Sequence, residues 1–156
     1  MTVTVTGISG FLGSAVALEL LNTHPEWRIR GTVRSTSNTV KIDPLRRMFG
    51  DKFDKVELVE ADILDAESLK RAFVGTTYVI HVASPVMIGE PADPETLIRP
   101  AVKGTTNMLT ACRENGVRRV SITSSVAAIT GINPPDNPDV YSEEHWSIPE
   151  QQNNAY

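Results

Sequence analysis

Three glycines near the N-terminus are the first residues whose type and spacing suggest chemistry. A β-branched run, "TVTVT", leads directly into Gly7-Ile8-Ser9-Gly10-Phe11-Leu12-Gly13, and an apolar helical pattern follows. Glycines so placed let the backbone turn tightly and approach a pyrophosphate, and let a helix pack close to the preceding strand. The helix that opens at Phe11 and Leu12 then offers free N–H groups and a partial positive charge to the phosphates. The spacing is GxxGxxG rather than GxGxxG, so a glycine-rich turn without a ligand is the alternative. The strand before the loop and the helix after it argue for the ligand.

A second test lies about 20 residues on, where folds that bind NAD place an acid for the ribose 2′-hydroxyl. Here the sequence reads "RGTVRSTSN", with no acid between Arg28 and Lys41 and a cation, Arg34, at the expected place. A guanidinium can fork onto a 2′-phosphate and stack on adenine, and Lys41 can add a second charge. The alternative is a pair of solvated surface cations. The pattern favours NADP(H) over NAD(H). Asp62 in "EADILD" could accept a hydrogen bond from the adenine amino group, with Ile63 beside it at the same edge. Asp62 reads equally well as a turn or cap acid. His81 in "VIHVAS" reads as a core histidine rather than a catalyst. His24 and His145 have no partners at ligand spacing, so no metal site is expected.

The elements that must position these residues alternate strand and helix. Strands are expected over 3–6, 27–33, 56–60, 78–83 and 119–123, and helices over 11–22, 40–49, 65–73 and 95–115. Asp65 is a good N-cap, because its carboxylate accepts the free N–H groups of a first turn. The fourth strand is apolar enough to be buried on both faces, and the chain after Gly131 reads as loop. Such alternation predicts βαβ units, right-handed crossovers and a doubly wound, Rossmann-type parallel sheet of about five strands. A full dinucleotide fold has six or more, so the second half of the sheet reads as unfinished.

With 156 residues, 40% hydrophobic and 22% charged, the chain suits one globular domain. A formal net charge of −4 gives no general attraction to nucleic acid or anionic membrane, so phosphate recognition must be local. Cys112, the single cysteine, excludes an internal disulfide and suits a reducing, cytoplasmic compartment. "MTVTVTG" lacks the features of a signal peptide, and no stretch approaches the length of a membrane span.

The sequence resembles the extended short-chain dehydrogenase/reductase family. The resemblance is greatest to its dihydroflavonol 4-reductase, cinnamoyl-CoA reductase and ketone/methylglyoxal reductase branch. It rests on "VTGISGFLGSAVALELL", "GTVRS", "ADILD", "VIHVASPV", "PAVKGTTNML" and "GVRRVSITSSVAAI", which in this order span essentially the whole chain. The resemblance implies a glycine loop for NADP(H) at Gly7, Gly10 and Gly13, and 2′-phosphate ligands at Arg34 and Lys41. It implies that Val82, Ala83 and Ser84 pass under the cofactor. It further implies a catalytic serine at Ser125, the last residue of "TSS". The family's tyrosine, four residues before a lysine, has two candidates. Tyr141 is followed at that spacing by His145, whereas Tyr156 follows "QQNNA", which fits the family, and position 160 lies beyond the sequence.

The resemblance therefore implies an NADPH-dependent reduction of a small-molecule ketone or aldehyde to an alcohol. The tyrosine would supply the proton, with its pKa lowered from about 10 by a nearby ammonium. Ser125 would hold the carbonyl oxygen where negative charge develops. Further strands and a substrate-binding segment are expected after residue 156, so these residues alone are expected to hold cofactor-site groups without catalysis. An epimerase or dehydratase of nucleotide sugars, a 3β-hydroxysteroid dehydrogenase and a non-catalytic NADP-binding module are the alternatives. The whole protein is expected to be a monomer or a homodimer.

Overall fold

The computed structural model describes residues 1–85, 93–130 and 138–148. The β-branched and apolar runs form β1 (Thr2–Thr6), β2 (Arg28–Val33), β3 (Val56–Glu60), β4 (Tyr78–His81) and β5 (Arg119–Ile122). All four pairings are parallel, in the order β3-β2-β1-β4-β5. The helices are α1 (Phe11–Thr23), α2 (Thr39–Phe49), α3 (Ala66–Ala72) and α4 (Glu95–Glu114).

The chain steps outward from β1 to β3, then returns to β4 on the other side of β1. With right-handed crossovers this places α1 and α2 on one face of the sheet and α3 and α4 on the other. Two cores follow from that division. Val3, Val5, Ile29 and Val33 pack with Ala17, Leu21, Ile42, Leu45 and Phe49. Val79 packs with Leu69, Phe73, Met108 and Cys112 on the opposite face. Strand order reverses between β1 and β4, and a crevice at the carboxyl ends of strands at such a point is where ligands bind in this architecture. Among the described residues, no helix is long and apolar enough to cross a membrane.

Most elements agree with the sequence reading to within a residue or two, and Asp65 caps α3 as expected, accepting from the N–H groups of Glu67 and Ser68. Three differences have physical causes. First, β4 ends at His81 rather than at residue 83, because the N–H groups of Val82 and Ala83 turn to the Thr6 hydroxyl instead of a neighbouring strand. Second, β4 is not buried on both faces. Val79 and His81 are buried beneath α3 and α4, while Tyr78 and Ile80 lie half-buried at the margin of the other core. Third, a 3₁₀ segment, Gly50–Lys55, follows α2 where no element was expected. It carries Phe53 back under the Arg46 guanidinium, 4.4 Å from the ring centre. β5 forms one edge of the sheet, with Arg119, Ser121 and Ile122 exposed. Tyr156 lies outside the described residues.

Candidate cofactor site

The glycine loop joins β1 to α1 at the carboxyl edge of the sheet, and its three glycines serve different ends. Gly7 adopts φ +67°, and a Cβ there would stand 3.0 Å from the Ala83 Cα, so both backbone conformation and space require glycine. A Cβ on Gly13 would stand 2.3 Å from the Gly7 carbonyl oxygen; the first turn of α1 rests directly on the loop backbone. Gly10 is the exception. Its φ of −85° suits any residue, and an added Cβ would meet only the Gly7 oxygen, at 3.3 Å. Glycine at this N-cap leaves the first turn of α1 without a side-chain cap or an acidic residue. The N–H groups of that turn have no partner within the helix, and Phe11, 96% exposed, projects into solvent beside them. Leu12 is also exposed. An open, uncapped, positive helix end reached by a bare backbone fits an incoming phosphate.

Thr6, immediately before Gly7, links this loop to the end of β4. Its buried Oγ1 accepts the N–H groups of Val82 and Ala83, each at 3.1 Å, and lies 2.8 Å from His81 Nδ1. A hydroxyl that already accepts twice donates its one proton, so Nδ1 accepts and the ring proton sits on Nε2. Burial pushes the His81 pKa down, in keeping with a neutral ring. The core role expected for His81 is thus specific: with Thr6 it fixes the turn through Val82 and Ala83. Ser84, next in the turn, is exposed.

The end of β2 carries Arg34 into solvent, and among the described residues no hydrogen bond or ion pair holds its guanidinium or the Lys41 ammonium. The turn between them is ordered by polar contacts. Glu60 Oε1 accepts from the Thr36 N–H at 2.7 Å and from its hydroxyl at 2.8 Å. The Ser35 and Ser37 hydroxyls meet at 2.9 Å, and Asn38 caps α2 by accepting from the Lys41 N–H at 3.3 Å. These bonds, from the Thr36 N–H first and its hydroxyl second, hold the Glu60 carboxyl below its ordinary pKa.

Asp62 uses Oδ1 in a local turn, accepting from the Leu64 N–H at 2.8 Å. Ile63 packs its side chain where Gly104 leaves room on α4, and its carbonyl accepts from Asn107. At the end of β5, exposed Ser125 opens a 3₁₀ turn, Val126–Ala128, and its Oγ accepts from the Ala127 N–H at 3.2 Å. Accepting there leaves the hydroxyl proton available for donation. Tyr141, the other candidate tyrosine, meets the His145 ring edge-on at 5.8 Å between centres. The structure thus gathers the glycine loop, Arg34, Asp62, the Val82–Ser84 turn and Ser125 at the strands' carboxyl edge. Sequence reasoning passed over Thr6, Thr32 and Glu60. Thr32 Oγ1 accepts from the Gly7 N–H at 3.2 Å and so braces the loop from β2.

Residues 4–156 match the 3-beta hydroxysteroid dehydrogenase/isomerase family. The chain belongs to that family. Within it, the chain is 42% identical over 146 residues to cinnamoyl-CoA reductase 1 of Oryza sativa subsp. japonica, covering 93% of this chain and 40% of that protein. It is 36% identical over 148 residues to dihydroflavonol 4-reductase of Hordeum vulgare, covering 93% and 40%. The crystal structure of yeast methylglyoxal/isovaleraldehyde reductase complexed with NADPH superposes with a TM-score of 0.77 at 27% identity, covering 94% of this chain and 44% of that one. The chain spans about two fifths of the length of the curated relatives it matches. This hydroxysteroid dehydrogenase/isomerase family lies within the extended short-chain dehydrogenases/reductases, as the motifs implied, and the five-stranded parallel sheet is of the expected Rossmann type.

Proposed function

We propose that the chain is the cofactor-binding part of an NADPH-dependent reductase that converts a small ketone or aldehyde to an alcohol. The observation that carries this reading is the Arg34 guanidinium at the end of β2, unpaired among the described residues, next to a glycine loop and with no acid at that strand end. A free cation there suits a 2′-phosphate, whereas an acid would suit a ribose hydroxyl. The reductase names of the relatives and the NADPH in the superposed yeast enzyme support it. The same cation weighs against an NAD-dependent epimerase.

In this reading the N–H groups around Gly10, Phe11, Leu12 and Gly13 hold the pyrophosphate, and Arg34 and Lys41 hold the 2′-phosphate. Asp62 and Ile63 border the adenine, while Val82, Ala83 and Ser84 form the floor. NADPH, when bound, supplies the hydride that reduces a carbonyl carbon. Ser125 donates its hydroxyl proton toward the carbonyl oxygen and orients it, and Tyr156 delivers the proton that completes the alcohol. Cys112, a single buried thiol, suits the cytoplasm.

The test is cofactor titration by fluorescence with the full-length protein. NADPH should bind more tightly than NADH, and Arg34→Asp should remove most of that preference. A charge-assisted contact is worth about 1.5–3 kcal/mol, or one to two decades of affinity. Equal affinities in the unmutated protein refute the reading.

A further inference from the structure

We propose that Glu60 is a positioning residue for cofactor choice, acting by holding the turn that presents Arg34 and Lys41. The inference rests on the assignment of those two cations to a 2′-phosphate. Glu60 is the last residue of β3 and pairs in register with Val33, one residue before Arg34. The Ala61 N–H donates to the Val33 carbonyl at 2.9 Å, so the two strand ends are tied at this level.

Beyond Arg34 the chain reads Ser35-Thr36-Ser37-Asn38-Thr39-Val40, with no apolar side chain buried among them. Hydrophobic packing therefore does not order the turn; polar contacts must. Among the described residues, the contacts that tie it to the sheet converge on Glu60: one carboxylate oxygen accepts both the Thr36 backbone N–H and its hydroxyl, and the Ser35 hydroxyl also bonds the carboxylate. Each residue left to wander would lose backbone entropy when a ligand ordered it. Glu60 removes part of that cost before any ligand arrives.

The residue type also carries an opposing effect. A carboxylate beside a phosphate site repels it, and an acid near this position would by charge alone favour the ribose hydroxyl of NADH. Glu60 is turned instead to Thr36, so its hydrogen-bond geometry and its charge act in opposite directions on NADPH. Two substitutions separate them. In Glu60→Gln the side-chain carbonyl still accepts both Thr36 bonds while the charge is gone; Glu60→Ala loses both.

The experiment measures dissociation constants of NADPH and NADH, and melting temperatures without cofactor, for the full-length protein and the two variants. Glu60→Ala should lower the NADPH/NADH preference about tenfold, through NADPH alone. Glu60→Gln should keep that preference or raise it. An unchanged preference in Glu60→Ala overturns the inference. So does an equal loss for both cofactors, which marks a general structural role, or an equal fall in Glu60→Gln and Glu60→Ala, which assigns the effect to charge. Absence of NADPH preference in the unmutated protein overturns the 2′-phosphate reading and this inference with it. A preference that Glu60→Ala leaves intact overturns this inference alone.

Discussion

Replacing Gly13 with alanine should destabilise the protein, whereas Gly10→Ala should spare the fold and weaken dinucleotide binding. At position 13 the added methyl would lie 2.3 Å from the Gly7 oxygen, 2.9 Å from its carbonyl carbon and 3.1 Å from the Ile8 Cα. All three are backbone atoms, and real Cβ contacts essentially never fall below 3.0 Å, so helix and loop must part by about 0.7 Å. Overpacking of this kind costs about 1–3 kcal/mol. Alanine's helix propensity offsets at most about 1 kcal/mol of that. A net loss of about 1–2 kcal/mol corresponds to a fall in Tm of roughly 2–8 °C for a chain of this size. At position 10 the single close neighbour is 3.3 Å away and the backbone is extended, so the stability change should stay below about 1 kcal/mol. The methyl would nevertheless stand where a phosphate must approach the uncapped N–H groups, and NADPH affinity should fall at least about tenfold. Thermal melting without ligand and fluorescence titration read the two effects separately. A Gly13→Ala protein that melts with the unmutated one refutes the close-approach argument. A Gly10→Ala protein that binds NADPH normally reduces the loop to a turn.

Three further outcomes follow from buried polar groups. Thr6→Val strands the N–H groups of Val82 and Ala83 and leaves His81 Nδ1 without its donor, so it should cost about 2–4 kcal/mol in chemical denaturation. Thr6→Ser should recover most of that loss. Because burial depresses the His81 pKa in the folded state, the unfolded chain binds the extra proton; stability should be full above the ordinary histidine value and decline as pH falls below about 6.5, with a slope of at most about 1.4 kcal/mol per pH unit. Denaturation midpoints of the unmutated protein and His81→Asn across that range should diverge; parallel curves refute the assignment. Burial pushes the Cys112 thiol up to about 11, so iodoacetamide should label the native protein far more slowly than the denatured one at pH 8.

The strand and helix pattern was legible because its causes are local: β-branched runs for the sheet, apolar period for the helices, and Asp65 as a cap within three residues of its partners. The place of the glycine loop between β1 and α1, and of Arg34 just past β2, was legible for the same reason. Asp62 was left open between two roles, and its Oδ1 serves the local one, a turn closed on Leu64. What the sequence concealed are bonds between distant residues whose types already had a sufficient local explanation. A threonine in "TVTVT" reads as a strand former, and nothing near it hints at His81, 75 positions away. Glu60, a charge at a strand end, reads as solvated, although its partner Thr36 lies 24 positions earlier.

Those concealed bonds share a location. Thr6 ends β1 at the point where strand order reverses, so the next residues swing to α1 on one face while the paired strand, β4, leads toward α4 on the other. The two chain directions diverge there and neither strand can satisfy the other's next N–H groups. One hydroxyl bridges the gap, tying the Val82–Ala83 turn to the residue before the glycine loop. Glu60 does the corresponding work on the other side of β1, tying the Arg34 turn to β3. The crevice between diverging strands is what makes room for a dinucleotide, and it is also what leaves backbone groups without a ladder. If the dinucleotide sits there as proposed, substituting the side chains that close those gaps should alter binding geometry where a search for ligand-type residues finds nothing.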